Sequence, residues 1–295
     1  MTRFVLLALF GLAAQLIDGA LGMAYGLTST TLLLSAGVAP AVASASVHLA
    51  EVGTTMVSGV AHSRLGNTDW RAVRWLALPG GVGAFCGAVA LSSLSADSAK
   101  PWIAVFLVLL GGYVLVRFAL LGGRAPIRPA TVRRRLLIPL GLGAGFLDAA
   151  GGGGWGPIAT PTLLASGKME PRRAIGTVAT SEFVVAVCAS IGFLLALDRG
   201  TVALPVVAAL LVGGAVAAPI AAWMVRLMHP RVLGASVGGL IVFTNGRILL
   251  QATGMDADLR ILAYAGIAAL WALAIVVALR AVRAEGRPAL AALSD

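Results

Sequence analysis

Charge is scarce in this chain, and so are the residues of redox and metal chemistry. Asp, Glu, Lys and Arg make up 12% of its 295 residues, whereas 59% are hydrophobic and the mean hydropathy is +0.95. No soluble core needs that much apolar sequence, so the composition is that of a polytopic helical membrane protein. Two cysteines, Cys86 and Cys188, stand apart in apolar stretches far from any His. This argues against disulfide or metal use and predicts small buried hydrophobes. The chain contains no HExxH and no GxSxG, and no polar stretch long enough for a nucleotide-binding domain. These gaps speak against an enzyme and against a cofactor. Acids are outnumbered by bases, 12 to 22, giving a formal charge of +10. The arginines lie in short loops between apolar runs rather than on a soluble face, which points to membrane orientation and away from nucleic acid.

The apolar runs fall at 4–17, 23–38, 41–61, 72–93, 101–121, 135–147, 154–166, 172–197, 201–226, 231–252 and 259–282. Those of about 20 residues or more can each span a bilayer. The four runs at 4–17, 23–38, 135–147 and 154–166 are shorter. At 1.5 Å per residue each covers roughly 20–24 Å of a ~30 Å core, which predicts half-helices in re-entrant hairpins or broken spans. The opening Met1-Thr2-Arg3 run leads into a glycine motif with no cleavage-type polar region, and is read as a retained first helix. Trp70, Trp75, Trp102, Trp223 and Trp271 fall near run ends or on apolar faces and are read as interface anchors.

Positive charge orients the spans. Arg117, Arg124, Arg128, Arg133, Arg134 and Arg135 crowd one loop, and the loops at 62–75, 168–173 and 226–231 and the C-terminal tail are basic too. These are expected in the cytoplasm, with the C-terminus. The loops near Asp97, Asp198 and Asp256 belong outside, and counting back places the N-terminus outside as well. His62 and His229 stand at loop ends beside arginines and are read as interfacial.

One pattern occurs twice. Gln15-Leu-Ile-Asp18-Gly19-Ala-Leu-Gly22-Met-Ala-Tyr25-Gly26 returns as Gly145-Phe-Leu-Asp148-Ala-Ala-Gly151-Gly152-Gly153-Gly154-Trp155-Gly156. An offset of 130 superposes Asp18 on Asp148, Gly22 on Gly152, Tyr25 on Trp155 and Thr30 on Thr160; an offset of 131 places Pro40 on Pro171 and Glu51 on Glu182. The expected organisation is therefore two repeats. Residues 1–122 hold a hairpin at 4–38 and spans 41–61, 72–93 and 101–121, and a basic linker covers 123–134. Residues 135–252 hold a hairpin at 135–166 and spans 172–197, 201–226 and 231–252; an extra helix follows at 259–282. A paired segment plus three spans is an odd number of crossings, so the second copy is inverted. Inverted repeats with broken helices near the midplane are a recurrent transporter architecture.

The two halves, each opening on an Asp-and-glycine element and followed by a helix bearing a Glu, resemble the sulfite exporter TauE/SafE family. The stretches that carry the resemblance are Asp18 to Gly26, Ser46 to Glu51, Gly145 to Pro161 and Gly176 to Glu182, and it extends to about Leu250. It implies a secondary permease moving small sulfur-containing anions, such as sulfite, sulfonates or sulfoacetate, across the cytoplasmic membrane, with an anion channel or an intramembrane enzyme as alternatives. The partners implied are that anion and the lipid bilayer, with a homodimer as one open oligomeric state.

Within this frame the glycines Gly19, Gly22, Gly26, Gly151, Gly152, Gly153 and Gly154 are candidates for an anion cradle, because they open onto helix N-termini that offer free N–H groups. A side chain at Gly153 would then fill the anion's space. Close helix packing is the competing role. Thr28, Ser29, Thr30 and Thr160 add hydroxyls for an oxyanion, or bond to carbonyls one turn back. Tyr25 and Trp155 are expected to wall or gate the cavity. Asp18 and Asp148 repel an anion, so each either caps a half-helix or carries a coupling proton. Glu51 and Glu182 lie about ten residues into long helices, and His48 shares a face with Glu51. They form a proton relay or a neutral brace. Arg117 and Arg247 fall near span ends, where snorkelling to headgroups is the default.

Overall fold

The computed structural model describes residues 2–23, 25–93, 96–121, 131–166, 168–169, 171–198, 200–224 and 229–291. The expected linker at 123–134 lies mostly outside the described residues, with Arg124 and Arg128. All regular structure among the described residues is α-helical, as the composition requires. The helices are α1 (Thr2–Leu21), α2 (Tyr25–Ser35), α3 (Pro40–Arg64), α4 (Trp70–Ser92), α5 (Ala96–Ala119), α6 (Arg134–Gly151), α7 (Trp155–Ala165), α8 (Pro171–Ala196), α9 (Leu204–Met224), α10 (Pro230–Ala252) and α11 (Ala257–Ala291).

The hairpins differ from expectation. Each pairs a full-length helix with a half-helix: α1 has 20 residues and α6 has 18, whereas α2 and α7 have 11 each. The apolar runs stop short because hydropathy falls at Asp18 and Asp148, whereas the helix continues through both. The backbone reverses only where a left-handed conformation is required, at Gly22 (φ 66°) and Gly152 (φ 71°). Pro40, Pro171 and Pro230 open α3, α8 and α10, where the missing N–H costs nothing.

The chain forms two compact units, Met1–Ile103 with Ala125–Leu227, and Ala104–Arg124 with Met228–Asp295. In the first, α3 packs on α8, α1 on α9 and α6 on α4. The offset of 130 exchanges α1 with α6 and α4 with α9, so each packing has its counterpart. Glycines set the closeness of the outer pairs: a Cβ on Gly11 would lie 2.6 Å from the carbonyl oxygen of Leu210, and one on Gly141 would lie 2.5 Å from that of Leu76. Backbone approaching backbone this closely is how membrane helices gain packing energy where no hydrophobic drive exists between them.

Among the described residues, five helices are long and apolar enough to cross a membrane: α1, α4, α8, α9 and α11. The central helix α3 is not among them, although it has 25 residues. Its Ser44, Ser46, His48, Glu51, Thr54, Thr55 and Ser58 are all buried. Such a helix survives in a bilayer only when its polar face meets protein. Lipid is left to the outer surfaces, where Leu6, Leu9, Leu78, Val82, Val212 and Val216 are exposed. Cys86 is exposed on α4, against the expectation that it is buried, because it falls on that outward face. His62 is also corrected. It is fully buried rather than interfacial, and its ring meets the side chain of Asn67 at 3.3 Å, closing the turn after α3.

In the second unit α10 packs on α11. Phe243 sits between Tyr264 and Trp271, and the Arg247 guanidinium lies 5.8 Å from the Tyr264 ring centre.

Two glycines of α6 test the packing account. A Cβ on Gly145 would overlap the Gly80 carbonyl of α4, whereas Gly143 faces open space. Gly145→Leu is expected to cost about 1–3 kcal/mol and lower the melting temperature in detergent. Gly143→Leu should leave it unchanged.

Candidate functional site

The site grows from one face of α3. Ser44, His48 and Glu51 lie one turn apart along it, and all three are buried. The Ser44 carbonyl lies 2.8 Å from Nδ1 of His48. A carbonyl only accepts, so Nδ1 carries the hydrogen and Nε2 faces the opposite way. There Nε2 meets Oδ2 of Asp148 at 3.1 Å and Oε2 of Glu51 at 3.9 Å. A nitrogen lone pair does not rest against a carboxylate. One proton must therefore lie between His48 and Asp148, on either partner.

Asp148 has a second attachment. Its Oδ1 accepts hydrogen bonds from the backbone N–H of Gly154 at 2.7 Å and of Trp155 at 2.9 Å, and its main-chain oxygen accepts from Gly153 N–H at 2.9 Å. The last turn of α6 thereby caps the first turn of α7, occupying donors that a half-helix in lipid cannot leave free. Asp18 does the same more loosely for α2, accepting from Tyr25 N–H at 3.4 Å while Gln15 donates to its other oxygen at 3.4 Å.

The two hairpin tips cross, and they latch reciprocally. Thr30 of α2 donates to the Gly152 carbonyl, and Thr160 of α7 donates to the Gly22 carbonyl at 2.6 Å. Thr30 matches Thr160 and Gly22 matches Gly152 at the same offset, so this is one interaction made twice. Gly153 has φ 144°, and its missing Cβ would overlap the backbone of Gly26 and Leu27. A Cβ on Gly156 would sit 2.5 Å from Cα of Met23. The space over Gly153 thus holds the other hairpin's backbone rather than room for an anion. Gly19 faces Ala221 of α9, away from the crossing, and Gly151 is buried at the end of α6.

Tyr25 and Trp155 anchor the hairpins to the outer helices. The Tyr25 hydroxyl donates to the Leu210 carbonyl at 3.0 Å, while the Trp155 indole N–H donates to the Val178 carbonyl at 3.1 Å and its ring lies against Gly80. Gly80 and Leu210 again correspond. Thr28 donates to the Tyr25 carbonyl one turn back, and Ser29 is fully buried. Glu182 on α8 is buried and lies within the field of Asp18, Glu51 and Asp148. Arg117 and Arg247 belong to the second unit, and all the residues above to the first.

Electrostatically the centre is one-sided. Asp18, Glu51, Asp148 and Glu182 are buried, and among the described residues no Lys or Arg is buried with them. Neither side-chain oxygen of Glu51 has a hydrogen-bond partner, and a Cβ on Gly26 would lie 3.0 Å from Oε1, which places that oxygen at the crossing. His48, Glu51 and Asp148 offer one nitrogen and two oxygens within 4.8 Å of one another, a set able to hold a shared proton or a cation. Sequence reasoning missed Ser44, Gln15, Gly80 and Phe193, whose ring lies 5.9 Å from that of His48. Ser44 alone left a signal, one turn before His48.

The chain that carries this centre has known relatives. A family model described as "Sulfite exporter TauE/SafE" matches residues 7–248. A Bacillus subtilis (strain 168) protein named "Probable membrane transporter protein YtnM" is 50% identical over 285 residues, covering 95% of this chain and 93% of its own length. No solved structure matches the chain. The chain is a membrane transporter rather than an enzyme, and it belongs to the sulfite exporter TauE/SafE family.

Proposed function

We propose that the protein is a secondary permease for a small sulfur-containing anion, such as sulfite, a sulfonate or sulfoacetate. It carries the anion across the cytoplasmic membrane by alternating access, and protons are coupled to the movement. The observation that carries this reading is the place of the Asp148 carboxylate, on the N–H groups of Gly154 and Trp155 and against His48. A carboxylate there occupies the seat that a helix N-terminus offers any oxyanion.

The mechanism is an exchange between two anions. With Asp148 ionised, its own oxygen fills the seat. When a proton taken up from the substrate side joins Asp148 while His48 keeps the one they shared, the carboxyl loses its charge and its claim on the α7 amides. A substrate oxyanion then takes those amides as the hairpins part, and the Thr30 and Thr160 hydroxyls released from Gly152 and Gly22 supply further donors. Neutral donors hold an oxyanion without trapping it as an arginine would. Glu51, poised at the crossing, receives the proton as the seat refills. The anion and a proton thus travel together. The two halves rock as inverted repeats, with the N-terminus outside and the C-terminus in the cytoplasm. The name of the family model supports the substrate class.

Two measurements test this. In proteoliposomes, anion flux should saturate with concentration and rise when the substrate side is acidified, since protonation there frees the seat. His48→Ala and Asp148→Asn should lower the flux at least ~10-fold and abolish its response to pH. Flux linear in concentration and indifferent to pH describes a channel instead. In detergent, sulfite, sulfate, thiosulfate, taurine and sulfoacetate are compared with carboxylate analogues for their effect on the melting temperature. At least one sulfur oxyanion is expected to raise it, by up to about 3 kcal/mol of stabilisation at a hundred times its Kd. A shift with carboxylates alone overturns the substrate class.

A further inference from the structure

A basic hollow lies away from the crossing, at the paired starts of α4 and α6. These helices run side by side in the same direction, since Leu76 meets Gly141, Gly80 meets Gly145 and Phe146 meets Gly87. Their first turns enclose a hollow of about 580 Å³ lined by Arg71, Arg74, Trp75, Thr131, Val132, Arg133, Arg134 and Arg135. Five arginines line it, and no acidic residue is among the described lining residues. Arg74 and Arg134, from different helices, each place their guanidinium 6.0 Å from the centre of the Trp75 ring. The N-terminal dipoles of both helices point the same way and add to the positive field.

Helix packing does not ask for this charge. The matching helices α9 and α1 pack in the same manner, yet their first two turns carry Arg3 alone. Topology does not ask for this geometry either. Cytoplasmic retention needs only positive charge in the loop, whereas here two guanidiniums from different helices stand over one indole beside a hollow. Five arginines around one hollow set up a positive field that a bound anion would relieve. Arg is the side chain that binds phosphate oxygens in a bidentate fork.

We propose that this hollow binds the phosphate of an anionic membrane phospholipid. Phosphate is the shared chemistry of a lipid headgroup and of a soluble phosphate. The lipid is favoured because the pocket opens at the ends of two membrane helices, where Trp70 is exposed beside Arg71 in the manner of an interfacial anchor. The guanidiniums grip the phosphodiester while the acyl chains run down the exposed apolar face of α4, along Leu78 and Val82. Basic pockets between membrane helices bind such headgroups elsewhere.

The test is the melting temperature of the full chain in detergent with added phosphatidylglycerol, cardiolipin, phosphatidylcholine or inorganic pyrophosphate. The anionic lipids are expected to raise it by about 3–8 °C, with phosphatidylcholine and pyrophosphate without effect. Arg74→Ala with Arg134→Ala should abolish the rise. Arg280→Ala with Arg283→Ala removes the same charge from exposed positions of α11 and should preserve it. The arginines of both pairs are exposed, so both variants are expected to fold. An equal rise with phosphatidylcholine, or one that survives in the Arg74/Arg134 variant, overturns the proposal. So does the lack of any rise with anionic lipid, and a rise with pyrophosphate that matches the lipid's assigns the site to a soluble phosphate.

Discussion

A helix broken inside a bilayer exposes backbone donors that nothing in hydrocarbon can satisfy, and the organisation of the core follows from how this chain meets that demand. The carboxylate of Asp148 closes the start of α7, and that of Asp18 closes the start of α2. Each acid is carried in by the last turn of a full-length helix, so the hairpin and its cap are one unit of sequence. A carboxylate cannot remain buried without compensation of its own, however. For Asp148 it comes from His48, which the Ser44 carbonyl of the central helix holds in place. Three helices are thus tied to one functional group.

The two halves share a packing scheme but not a chemistry. The Thr30 and Thr160 latches are reciprocal, and Tyr25 and Trp155 brace against corresponding positions of α9 and α4. The position matching His48 is Ala179, so nothing on α8 does for Asp18 what His48 does for Asp148. The looser 3.4 Å contacts of Asp18 are those of a cap with no titratable partner at its back. Duplication supplies a matched scaffold, and in the proposed cycle His48, which has no counterpart on α8, would tie the proton step to one side of it.

Much of this was legible in the sequence. Apolar runs announced the helices, and the doubled Asp-glycine motif announced the hairpins, because acid and glycine are costly in a lipid-facing helix and must have a local cause. The pairing of His48 with Glu51 could be read from helical spacing. Its closer approach to Asp148 could not, since 100 residues separate the two and only the packing of α3 on the hairpin joins them. The run lengths made α1 and α6 too short because hydropathy falls at Asp18 and Asp148, whereas the backbone stays helical to the glycine beyond. Gln15 and Gly80 were invisible for a similar reason: their roles come from what lies opposite, and a single sequence does not record that.

The glycines are where the physical reading moved furthest. As sequence, a run from Gly151 to Gly154 beside a helix start looks like a cradle for an anion. In the fold, the α7 amides of that cradle are already taken by Asp148, and the volume over Gly153 is filled by Gly26 and Leu27. Both facts describe one conformation, with the seat occupied from within and the hairpins closed on each other. In an alternating-access cycle such a state has to exist, because a permease that left its donors open to both sides would leak. The backbone contact at Gly153 and Gly26 has no side chain to interlock, and the polar ties across the tips are the two hydroxyl latches. Glycine is thus what lets the crossing close fully, since any Cβ at Gly153 would meet the backbone of Gly26 and Leu27.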